Sequence, residues 1–236
     1  MRADKTRPSS AIAGCPTCQA RILCPFANLG PEILERFRAI AQMRFHQCGD
    51  ILLRQGEPVP GVLIVRSGCV KLVHFTPLGK AVTAGLPGPG SVLGLGEVLT
   101  GGLSQLTAEA FQPSNLEYLP KTEFLRLLYA NPASAVELLK AASFELRRIM
   151  GELHDLMGKV PPAERLLRTL RDLSETCGRP TPDGVQLGLP LTGQMLADRI
   201  GCSRQWVSGL LSDLERQGMI RRTKGWIKLT RDALAR

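Results

Sequence analysis

The sequence predicts an α+β protein built from an N-terminal β-roll of the jelly-roll kind, a long helix and a C-terminal winged helix-turn-helix. Three observations carry that prediction. From Arg44 to about Leu119, short β-prone runs (ILLR, VLIVRS, CVKLVHF, AVTAGL, NLEYL) alternate with glycine and proline, the signature of a sandwich or roll of many short strands. Further on, Leu139, Ala142, Leu146, Ile149, Leu153, Leu156 and Val160 recur at alternating spacings of three and four, which makes one apolar seam along a helix. Near the end, LTGQMLADRIGCSRQWVSGLLSDLERQG (191–218) sets two capped amphipathic segments around a glycine.

The chain has 236 residues, enough for two modest domains, and its apolar content of 44% lets each bury a core. No apolar run reaches bilayer-spanning length. The opening MRADKTRPSSAIAG has no apolar stretch of the secretory kind, so a cytoplasmic location is expected. In that reducing compartment, 7 cysteines favour metal or redox chemistry over a disulfide frame. The net charge of +9 is uneven: residues 161–236 carry 13 of the 30 Lys/Arg but 8 of the 21 Asp/Glu. A polyanionic partner at that end is the implication.

Taken in order, residues 1–30 form a cysteine-containing segment. Cys15, Cys18 and Cys24 are spaced C-x2-C-x5-C, three quarters of a tetrahedral metal or iron–sulfur site. Residues 31–132 are the roll, entered by an amphipathic helix over 31–43 (PEILERFRAIAQM) and left by a short helix over Lys121–Ala130 that Asn131-Pro132 ends. Residues 133–160 are the long helix, closed by Pro161-Pro162. Its stripe is narrower than a core-facing surface needs, so the reading is a dimer interface rather than a helix packed on its own domain. Residues 161–236 begin with the amphipathic AERLLRTLRDLSETCG and a turn-rich loop, RPTPDGVQLG.

Beyond that loop, Thr192 can cap a helix over Gly193–Ile200, Gly201 permits a sharp turn, and Ser203 caps a second helix with Val207, Leu210, Leu211 and Leu214 inward. MIRRTKGWIKLT then reads as a basic two-stranded wing. The second helix of such a motif enters the DNA major groove. Its exposed start offers Ser203, Arg204, Gln205 and Ser208, with Arg204 suited to a guanine edge and Gln205 to an adenine edge. Thr192, Arg221, Arg222 and Lys224 suit phosphates. Trp206 is expected between the helices, and Gly209 removes a side chain where a longer one could read the groove. No paired carboxylates or nucleophile–histidine pair is visible, so an enzyme is not expected.

With roll, long helix and winged motif in this order, the chain resembles the CRP/FNR superfamily of bacterial transcription regulators. The resemblance rests on GDILLRQGEP, VRSGCVKL, GLPGPGSVLGLGEVL and GCSRQWVSGLLSDLERQGMI. It implies a homodimer on a palindromic double-stranded DNA operator, with contacts to RNA polymerase that favour activation. The branch that binds cyclic nucleotide uses a Gly-Glu pair followed by an arginine. Gly96-Glu97 resembles the pair, but no Lys or Arg occurs between Lys80 and Lys121, so cyclic nucleotide is not the expected ligand. The FNR branch holds an oxygen-labile [4Fe-4S] cluster, and Cys15, Cys18 and Cys24 show its spacing. That branch's fourth cysteine precedes a proline on a late strand, and Glu117 of NLEYLP stands there. Cys48 or Cys69 are the alternative fourth ligands, and a zinc site, a thiol switch or a remnant that binds nothing are alternatives to the cluster. His46, His74, Cys177 and Cys202 read as ordinary structural residues. A reading of another class is a metal-binding redox protein whose basic end is incidental.

Overall fold

Helix α1 (Pro31–Ile40) starts with proline in its first turn, where a missing N–H costs nothing, and buries Phe37. The structure, a computed structural model, describes residues 26, 29–223 and 226–235, apart from the side chains of residues 141, 144, 145, 148, 152 and 159. The helix is shorter than the periodicity of 31–43 suggests, because Gln42 and Met43 already pair with the roll. The strands are β1 (Gln42–His46), β2 (Ile51–Leu53), β3 (Gly61–Ser67), β4 (Val70–Phe75), β5 (Ala81–Gly85), β6 (Val92–Leu93), β7 (Thr107–Ala110) and β8 (Ser114–Pro120), with α2 (Leu95–Thr100) between β6 and β7.

The chain divides into two compact units. One comprises residues up to Phe75 with Pro87–Arg147, and the other comprises Thr76–Leu86 with Arg148–Arg236. In the first, β1-β8-β3-β6 form one antiparallel sheet, and β2, β7 and β4 lie side by side in a second. Val62, Val65, Val70, Leu116 and Leu119 are buried in its core. Phe26, Phe37 and Phe124 meet edge-on or tilted at centroid distances of 5.5–6.3 Å, which holds α1 against α3 (Lys121–Ala130) within the core of the roll.

Helix α4 (Pro132–His154) carries the apolar seam. Leu139 and Leu146 are 66% and 61% exposed, and Ile149, Leu153 and Leu156 are at least 40% exposed. After His154 the chain turns through a π-helical segment, Asp155–Lys159, in which Gly158 has a φ of 97°. Val160, expected as the last seam residue, is therefore extended and not helical. The ring of Pro161 clashes with a helical residue before it, which forces this conformation.

The second unit holds α5 (Pro162–Cys177), β9 (Gly178–Thr181), β10 (Gly184–Leu187), α6 (Gly193–Ile200), α7 (Arg204–Arg216), β11 (Ile220–Thr223), β12 (Trp226–Thr230) and α8 (Arg231–Ala235). RPTPDGVQLG is not a loop as expected. It supplies the hairpin β9–β10, and β10 extends the wing into one sheet in the order β11-β12-β10-β9. Gly184 makes this possible: a Cβ there would lie 1.9 Å from the Leu229 carbonyl oxygen. Leu166, Leu170, Leu187, Leu196, Ile200, Val207, Ile220 and Leu229 form the core. Among the described residues, no helix is long and apolar enough to cross a membrane.

Candidate nucleic-acid interface

The two short helices are set by their caps. The Thr192 hydroxyl accepts a hydrogen bond from the Met195 N–H (3.2 Å), and the Ser203 hydroxyl accepts one from the Trp206 N–H (3.2 Å), so each helix has an early orphan donor satisfied. Gly201, with a φ of 65°, reverses the chain between them. Buried Met195, Leu196 and Ile200 face buried Val207, Leu211 and Leu214. Arg165 braces the turn from behind, a role that no motif announced. One of its nitrogens donates to the Asp155 and Val160 carbonyls (3.1 and 2.9 Å), and the other lies 3.6 Å from Cys202 Sγ.

With the apolar stripe turned inward, Ser203, Arg204, Gln205 and Ser208 all face solvent at the start of α7. The Arg204 side chain runs across the first turn of α6, its Cγ 3.5 Å from where a side chain at Gly193 would begin. Gly209 has open space beside it. Trp206 is not packed between the helices as expected: it is 58% exposed. It lies one residue, about 100° of helix, away from the Val207–Leu211–Leu214 stripe and so emerges beside the polar face.

The wing arginines differ from each other. Arg221 is well exposed and has Asp183 at 3.5 Å. Asp183 is also ion-paired with Lys228, and that hydrogen bond holds its carboxyl below the ordinary range. Arg222 is drawn inward to Glu215. Lys224 lies outside the described residues.

The expected cluster ligands Cys15, Cys18 and Cys24 also lie outside the described residues. Glu117, offered by position as the fourth, is only 3% exposed, and one of its oxygens accepts from Arg66 Nε at 2.6 Å and lies 2.5 Å from Nη2 in an ion pair. A β-bulge makes the pairing. Val65 stands opposite Leu116 and Ser67 opposite Asn115, so Arg66 is the extra residue and its guanidinium is re-aimed toward Glu117. Of the alternative thiols, Cys69 is fully buried, and the Cys48 thiol sits 3.3 Å from the Phe111 carbonyl oxygen. Among the described residues, then, no group of His, Cys, Asp and Glu is arranged to hold a metal, and the carboxylate in the expected place is already engaged.

Comparison with known proteins gives the arrangement its context. Residues 43–131 match the family model of the cyclic nucleotide-binding domain, and residues 164–236 match that of the Crp-like helix-turn-helix domain. The global nitrogen regulator of Synechocystis is 30% identical over 171 residues, covering 72% of this chain and 76% of the relative. This chain belongs to the CRP/FNR superfamily. The anaerobic regulatory protein of Bacillus subtilis is 26% identical, covering 81% of each chain. A solved CRP/FNR-family transcriptional regulator from Thermus thermophilus superposes with a TM-score of 0.66 at 26% identity, over 83% of this chain and 99% of that one. A CRP/FNR-type protein with this helix-turn-helix is a DNA-binding transcription regulator. Its α+β architecture is that of the family: antiparallel roll, long helix and terminal reading domain.

Proposed function

We propose that this regulator works as a cytoplasmic homodimer that reads a palindromic operator and takes a redox or oxygen signal through Cys15, Cys18 and Cys24. The observation that carries the DNA reading is the solvent-facing set Ser203, Arg204, Gln205 and Ser208, held on a capped helix that buries Val207, Leu211 and Leu214 on its other side. Arg204 can fork two N–H donors onto a guanine edge, and the Gln205 amide can do the same to an adenine edge. Thr192 and Arg221 are assigned to phosphates, contacts that fix register. The exposed leucine–isoleucine seam on α4 supports the dimer, since a row of large apolar side chains left in water is unfavourable at about 25 cal/mol per Å². Two such subunits present two reading helices about one DNA turn apart. The superfamily likeness also favours activation through contacts with RNA polymerase.

The sensory reading rests on the thiol spacing and on the likeness to a relative named an anaerobic regulatory protein. Soft thiolates suit iron–sulfur clusters, and a bound cluster would supply oxidation-sensitive order to the segment. The Arg66–Glu117 ion pair speaks against Glu117 as the fourth ligand. Cyclic nucleotide is not part of the proposal, because the stretch between Lys80 and Lys121 has no cation for a cyclic phosphate. The protein should be purified without oxygen, its iron, sulfide and zinc counted, and its DNA binding measured before and after air. Stoichiometric iron and sulfide with air-sensitive binding are expected. A metal-free protein whose DNA binding ignores both air and thiol oxidants would remove the thiols from the account.

A further inference from the structure

Besides buried apolar contacts, a polar grip fastens the wing to the reading helix. Arg222 Nε donates to Glu215 Oε2 at 2.9 Å, Nη2 lies 2.7 Å from the same oxygen, and the Arg222 backbone N–H donates to Oε1 at 3.0 Å. Its Nη2 also reaches the Ser212 hydroxyl at 3.2 Å. Ser208, Ser212 and Glu215 are spaced i, i+4, i+7 and so form one stripe of α7. The stripe that begins with a groove-facing serine therefore ends in a grip on the wing. Arg221, the neighbouring residue in the strand, has its side chain on the other face and makes a long exposed contact to Asp183.

We propose that Arg222 is a positioning residue, which latches the wing to the reading helix through Glu215 and Ser212 and does not itself hold a phosphate. The proposal deepens the DNA-binding reading and rests on it. Both oxygens of Glu215 are occupied, and the hydrogen bonds from Arg222 hold its carboxyl below the ordinary glutamate range. With Nε and Nη2 both on one Glu215 oxygen and its own backbone N–H on the other, this guanidinium is held at Glu215 and would have to leave it to meet DNA. The latch fixes the distance between wing and groove-reading face, so that both reach the duplex in one register.

The two roles give opposite signs for Glu215. If Arg222 holds a phosphate, Glu215 competes with it, and Glu215→Gln strengthens binding. As a latch partner, Glu215→Gln weakens binding. The experiment uses the full-length protein and a duplex selected by the unaltered chain, with affinity measured across salt concentrations. Glu215→Gln and Arg222→Gln should each weaken specific binding about five- to tenfold. Neither should change the slope of log affinity against log salt, whereas a lost phosphate contact reduces it by about one. The swapped pair Glu215→Arg with Arg222→Glu should recover binding. Amide hydrogen exchange over residues 220–230, without DNA, should quicken in both single variants. Stronger binding by Glu215→Gln, a reduced slope for Arg222→Gln, or unchanged wing exchange would each overturn the latch. If the unaltered chain selects no duplex, the DNA reading itself falls, and the exchange measurement still decides whether the wing is latched.

Discussion

At the scale of single residues, the Arg66–Glu117 pair bears most on the sensory question. A late strand ending in proline can be seen in NLEYLP, and Glu117 does stand on β8 just before that end. Its partner is 51 residues away and arrives by a bulge, which no local pattern marks. Glu117 is buried, so removing its part-buried partner leaves a carboxylate charge largely out of water. Arg66→Met should destabilise the first unit by about 3 kcal/mol in denaturant unfolding. A loss under about 1 kcal/mol would show that Glu117 does not depend on Arg66, and would restore it as a candidate ligand. Trp206 makes a similar point. Its size suggests burial, but burial of an α7 side chain is decided by its angle to the apolar stripe, and Trp206 is off it.

The elements divide by how local their causes are. Thr192, Gly201 and Ser203 act within a turn of where they stand, so the first short helix could be read to both ends and the second to its start. The β9–β10 hairpin could not. Strand β9 contains Pro180, which looks like a breaker but is tolerated on the outer strand of the sheet, and the hairpin is specified by pairing with β12 more than 40 residues on. The seam of α4 was legible as a period, and its C-terminal limit was not, since Gly158 and the two prolines unwind the helix before Val160. What the seam does is testable on the helix itself. Leu146→Asp places a charge in the middle of the stripe, and sedimentation should show a dimer turning into a monomer with its helix content kept. A variant that sediments like the unaltered chain would mean that α4 does not join two copies.

At the scale of the whole molecule, the proposed function makes the chain a relay: a roll preceded by a segment with three thiols, a helix proposed to pair two copies, and a helix-turn-helix domain. The order of these parts was readable because each has its own periodicity or spacing. The proposed relation of signal to response was not, because Cys15, Cys18 and Cys24, on which that proposal rests, lie outside the described residues. The reading end is the part on which the rest depends. The most direct measurement is selection of binding sites from random DNA by the full-length protein, with Arg204→Ala run in parallel. An enriched palindrome whose half-sites lie about one helical turn apart is expected, with loss of that enrichment in Arg204→Ala while the dimer stays intact. No enriched sequence, or the same sequence enriched without Arg204, would contradict the DNA reading.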